Sequence, residues 1–112
     1  WEQSAERFLW SRDIPTIATN YRSRHGEIDL VSIDGSTLVF VEVKYRTTSQ
    51  FGSALLSLRP RQQRRIAQTA SVFLNSRPDY THWHCRFDLI AFDQREDHVQ
   101  LTWLKAAFNG VD

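Results

Sequence analysis

Apolar positions change their period several times along the chain, and each change marks an element. Ala5, Phe8 and Leu9, with Trp1 ahead of them, recur at spacings of three and four, which predicts a short amphipathic helix ending before Pro15. Ile17 to Arg22 fits a strand. Glu27 to Ile33 alternates Glu, Ile, Asp, Leu, Val, Ser, Ile in the manner of another. Asp34-Gly35 is a strong turn signal. Thr37 to Arg46, TLVFVEVKYR, is so rich in Val, Phe and Tyr that it predicts the central strand of a sheet.

Beyond a polar stretch at Thr47 to Gly52 the period becomes helical again. Ile66, Ala70, Phe73 and Leu74 share one face of a segment from Pro60 to Asn75, with Pro60 suited to a first turn. Arg86 to Asp93 and Val99 to Leu104 read as two more strands, followed by a short helical tail at Lys105 to Asn109. The order of helix, three-strand meander, helix and two strands predicts an α/β fold with a mixed sheet and a helical crossover.

At 112 residues the chain is long enough for one core and too short for two, so a single domain over 1–112 is expected. No apolar run approaches the roughly 20 residues of a membrane span, and no charged-then-apolar segment opens the sequence. A cytoplasmic protein without a membrane partner is the expectation. His82, His84 and Cys85 lack a fourth ligand at zinc spacing. The net charge of +1 does not mark a nucleic-acid binder, but its distribution does more. Arg59, Arg61, Arg64 and Arg65 gather at the predicted start of the second helix, and Arg22, Arg24 and Arg46 flank the strands. Positive charge at a helix start opposes the helix dipole, a cost that phosphate contact would offset.

Candidate chemistry lies on the hairpin. Side chains two apart on a strand share a face, so Glu27 pairs with Asp29 and Glu42 with Lys44. A two-residue loop at Asp34-Gly35 sets Ile33 opposite Ser36, Glu27 opposite Glu42 and Asp29 opposite Phe40, with all the polar groups on one face. An odd slip in register would separate them. Carboxylates crowded onto one face repel one another unless a cation intervenes, and Mg²⁺ or Mn²⁺ bound by Asp29 and Glu42 is the natural candidate. Lys44 could then lower the pKa of an attacking water or stabilise charge developing on a phosphate. Asp88, two residues from Arg86, predicts a structural ion pair.

Gly26 to Leu30, GEIDL, followed by VFVEVK at Val39 to Lys44, resembles the acid-then-ExK signature of the PD-(D/E)XK nuclease superfamily. An ExK triplet alone is ordinary surface charge; the preceding GEIDL gives it weight. More narrowly, Ala5-Glu6, Asn20-Tyr21-Arg22, GEIDL, VFVEVK with Arg46, Phe51-Gly52, Arg86-Phe87-Asp88 and Ala107-Phe108 resemble the YraN family of bacterial proteins. That resemblance implies a restriction-endonuclease-like fold, a mixed sheet of about five strands flanked by helices, related to archaeal Holliday-junction resolvases. It also implies a first-helix glutamate, matched to Glu6, joining Asp29, Glu42 and Lys44; Glu27, placed by alternation alone, is either a supporting acid or a solvated edge residue. Members often have lysine where Gln62 stands.

The function expected is metal-dependent hydrolysis of DNA phosphodiester bonds, with branched or damaged DNA as candidate substrates. The rival is a nucleic-acid-binding or scaffold protein that keeps the fold without turnover. Whether a homodimer forms is left open.

Overall fold

The computed structural model describes residues 1–47 and 54–110. Phe51 and Gly52 lie outside these described residues. Helix α1 spans Glu2–Trp10, strand β1 Thr16–Ser23, β2 Gly26–Asp34, β3 Thr37–Arg46, helix α2 Pro60–Asn75, β4 His84–Gln94 and β5 Val99–Phe108. Short 3₁₀ turns at Ala54–Ser57 and Pro78–Tyr80 flank α2. The fold is α/β, with one five-stranded sheet in the order β1-β2-β3-β4-β5. Every pairing is antiparallel except β3 with β4, whose parallel register requires the crossover that α2 supplies. This mixed sheet with its two helices is consistent with a restriction-endonuclease-like fold. Among the described residues no helix is long and apolar enough to cross a membrane.

The central position of β3 follows from its composition, because both of its faces are covered. Val39 and Val41 join Ala5 and Leu9 of α1, Leu30, Ile90 and Phe92 in one cluster. Leu38 and Phe40 join Ile28, Val31 and Ile66, Ala70 and Phe73 of α2 in another. Alternation along β3 thus feeds two cores, one per helix.

Two expectations are corrected. The residues from Lys105 to Phe108 belong to β5, not to a helical tail. Lys and Ala favour helix, but pairing wins: Phe108 lies opposite Phe87, with ring centroids 4.8 Å apart. A bulge absorbs the register shift, where Ala106 takes φ 50° and its N–H donates to Asp88 Oδ1 at 3.0 Å. The hairpin register also differs. Asp34 pairs with Thr37 and Ile33 with Leu38, so the loop is Gly35-Ser36. Gly35 at φ 64° supplies the positive φ that the first loop position needs. The slip is by an even number, so Asp29 and Glu42 still fall on one face of the hairpin.

Candidate metal and nucleic-acid site

The site forms where the sheet loosens. Ala18 and Tyr21 both belong to the α2 cluster although they are three apart, as do Val31 and Ile28, their partners on β2. Regular alternation would not place them so; the face switches with no shift in register where Asn20, at φ 51°, stands opposite Asp29. The β2–β3 ladder ends at Leu30–Val41, one step before Asp29 and Glu42 would face each other. Released from the ladder, the Val43 N–H donates to Asp29 Oδ2 at 2.8 Å.

Asp29 and Glu42 are both buried, and a cavity of about 220 Å³ between them and α2 is lined also by Gly26, Glu27, Gln62 and Arg65. Burial and the neighbouring Asp29 carboxylate push the Glu42 pKa up to about 8, against the opposing pull of Lys44. Lys44 Nζ lies 3.7 Å from Glu42 Oε2. Gln62 spans the pair: its Nε2 donates to Glu42 Oε2 at 2.6 Å, and its Oε1 accepts from Lys44 Nζ at 3.1 Å.

The glutamate of α1 that meets this group is Glu2, not Glu6. Burial first, then Asp29 and Glu27, raises the Glu2 pKa, and its carboxyl reaches hydrogen-bonding distance of Asp29. With its amide nitrogen turned toward them, Asn20 donates to Glu2 Oε1 at 2.7 Å and to Glu27 Oε1 at 3.2 Å. The Glu6 side chain makes no hydrogen bond or ion pair among the described residues. Periodicity held the signal. On a helical wheel Glu2 lies closer to the buried Ala5–Leu9 stripe than Glu6 does.

The arginines divide. Arg65 lines the cavity, while Arg59, Arg61 and Arg64 lie exposed at the start of α2. Arg22 and Arg24 are exposed near the β1–β2 turn, with Arg22 Nε 3.2 Å from Glu27 Oε1. That turn is fixed to α2 by Ser23 Oγ, 3.0 Å from the buried Thr69 Oγ1. Gly26 has φ 147°, which side-chain-bearing residues rarely adopt. Arg46 does not join this surface. It is nearly buried, and its Nη2 donates to Asp93 Oδ2 at 2.8 Å.

Among the described residues no three His, Cys, Asp or Glu side chains form a cluster of metal-binding type. Mg²⁺ does not require one. It is commonly held by one or two carboxylates, with water and substrate phosphate completing its shell. Two buried carboxylates that ionise together only at a cost, one with its pKa displaced by the other, are a donor set that fits a hard divalent cation.

The sequence model of the uncharacterised protein family UPF0102 matches residues 1–92. A UPF0102 protein of Pseudomonas putida is 42% identical, with the match covering 96% of this chain and 88% of its own length. One from Francisella tularensis subsp. novicida is 37% identical over 98% and 92%. One from Klebsiella pneumoniae is 38% identical over 96% and 82%. With most of its length matched in this way, the chain belongs to family UPF0102, the YraN family.

Proposed function

We propose that this protein is a divalent-metal-dependent nuclease that hydrolyses phosphodiester bonds of DNA. The observation that carries the reading is the meeting of the Asp29 and Glu42 carboxylates at the end of the β2–β3 ladder, with the Lys44 ammonium 3.7 Å from Glu42. A structural core has no use for like charges at that point, whereas a metal site does.

Asp29 and Glu42 would hold the cation, and Glu2 would stand behind Asp29. When bound, a cation such as Mg²⁺ supplies Lewis-acid polarisation of the phosphate and eases deprotonation of water. Water gives a proton to solvent as its oxygen adds to phosphorus, the phosphorus–oxygen bond to the leaving nucleoside breaks, and that oxygen takes a proton from solvent. The role of Lys44 is electrostatic: its ammonium would stabilise the negative charge that grows on the phosphate as water attacks. Arg65 at the cavity, with Arg22, Arg24, Arg59, Arg61 and Arg64 outside it, would hold the flanking phosphates.

The test is a cleavage screen across linear, flapped and four-way DNA with Mg²⁺ or Mn²⁺. Wild type should cut at least one of these, and Asp29→Ala should lose both metal binding and cleavage. Lys44→Ala should fold, bind metal and turn over about two to three orders of magnitude more slowly. A wild type that binds DNA but cuts none would instead mark a binding protein; equal turnover in Lys44→Ala would remove the assigned mechanism.

A further inference from the structure

Gln62 occupies the first turn of α2, a rigid element fixed by Pro60 at its start and by the buried Ile66 one turn on. Its amide touches both halves of the ExK pair: the nitrogen meets Glu42 at 2.6 Å and the oxygen meets Lys44 at 3.1 Å. This orientation is the one that Lys44 permits, since an ammonium only donates and must therefore meet the amide oxygen.

The ion pair alone cannot fix this geometry. Lys44 carries its charge on a flexible four-carbon stem, and the 3.7 Å separation from Glu42 is a weakly directional attraction. The hydrogen bonds from α2 supply the direction. We propose that Gln62 is a positioning residue that holds the Lys44 ammonium and the Glu42 carboxylate in fixed relation, so that cation and phosphate meet them already aligned. This inference rests on the nuclease reading above. It adds that the crossover helix, and not the hairpin alone, sets the geometry of the ExK pair. Groups that orient metal ligands are typically worth about 10- to 100-fold in affinity or activity.

The experiment compares wild type with Gln62→Leu, which removes both bonds at similar bulk. Free Mn²⁺ is followed by electron paramagnetic resonance, cleavage on the best DNA from the screen is resolved into kcat and KM, and thermal melting controls for folding. Gln62→Leu should melt with wild type, bind Mn²⁺ more weakly and lose kcat with little change in KM, by about 10- to 100-fold in affinity or turnover. If wild type binds Mn²⁺ and Gln62→Leu binds it equally with the same kcat, the Gln62 proposal falls while the nuclease reading stands. If wild type binds no Mn²⁺, the nuclease reading fails and takes this proposal with it. Where no DNA is cut, the Mn²⁺ affinities alone decide. Should Gln62→Leu not fold, the Gln62 side-chain amide resonances of wild type decide instead: a shift on adding Mg²⁺ supports the role, and their constancy overturns it.

Discussion

Among the described residues four aspartates and glutamates are buried in the sheet, and they divide into two pairs by the company they keep. Asp88 and Asp93 on β4 are fully supplied with donors. Asp88 accepts from Arg86 Nε at 3.0 Å, from Trp103 Nε1 at 3.0 Å and from the Ala106 N–H at 3.0 Å, while Asp93 is gripped by Arg46. Asp29 and Glu42 on β2 and β3 are crowded against each other, and Asp29 is crowded against Glu2 as well. Burial does not separate the pairs: relative exposures are 0% and 3% on β4 against 9% and 9% at the hairpin. A buried carboxylate with its donors in place holds structure together. One facing another carboxylate, as Glu42 does even with the Lys44 ammonium 3.7 Å away, is suited to take a further cation.

Removing a member of each pair should therefore have opposite consequences. Asp88→Ala strips Arg86, Trp103 and the β5 bulge of their acceptor at once, and loss of one partner of a buried pair costs about 3–5 kcal/mol. Denaturant unfolding should show that loss. Asp29→Asn relieves repulsion and should unfold at the same denaturant concentration as wild type, or higher, while abolishing metal-dependent cleavage. Matching destabilisation in the two variants would erase the distinction.

Acid and base should also separate them. The Arg46 hydrogen bond lowers the Asp93 pKa from 3.8, so its contribution is present above that value and fades as pH falls through the lower, folded one. Glu42 runs the other way. Its folded pKa of about 8, against 4.5 unfolded, means that folding retains a proton across this window. Stability from that group is full below pH 4.5 and is lost as pH rises through about 8. Metal-free wild type should thus lose melting temperature from pH 5 toward pH 8. Glu42→Gln should flatten that slope while retaining the loss at acid pH, and Asp93→Asn should do the reverse. Mg²⁺ should flatten the alkaline side of wild type, because it binds the ionised carboxylates.

Much of this arrangement could be read from sequence, and the reasons for the rest are physical. The β3 span and α2 follow directly from composition and period, and Asp29 and Glu42 still meet because the hairpin slipped by an even number. What alternation could not supply was the change of face at Asn20, which accompanies one positive φ rather than a hydrophobic pattern. The β5 tail was obscured by helix-favouring Lys105, Ala106 and Ala107, whose conformation is set by pairing with β4 and by the buried Asp88. Glu6 was matched by family position, whereas the helix brings Glu2 to Asp29. Substitution tests this: Glu2→Gln should lower turnover or metal affinity by about 10- to 100-fold, and Glu6→Gln should leave both at wild-type levels. Equal effects would mean that neither glutamate is specific to the site.

The same contrast between paired and open groups applies to the cations, where the expected effects are smallest. Arg59, Arg61, Arg64 and Arg65 make no ion pair among the described residues, while Arg46 is committed to Asp93. Each phosphate that an arginine neutralises releases counterions, so log affinity for duplex DNA falls against log salt with a slope of about 0.9 per phosphate. A variant with all four α2 arginines changed to Ala should bind DNA more weakly, and its slope should be shallower by up to about 0.9 for each phosphate left without its arginine. Arg46→Ala should lower the melting temperature through the orphaned Asp93 and leave the slope unchanged. Unchanged affinity and slope in the fourfold variant would show the α2 cluster to be an ordinary solvated helix start. A changed slope in Arg46→Ala would place that residue back among the groups that meet phosphate. Charge that already has a partner inside the fold has little left for DNA, and the salt slope measures that remainder directly.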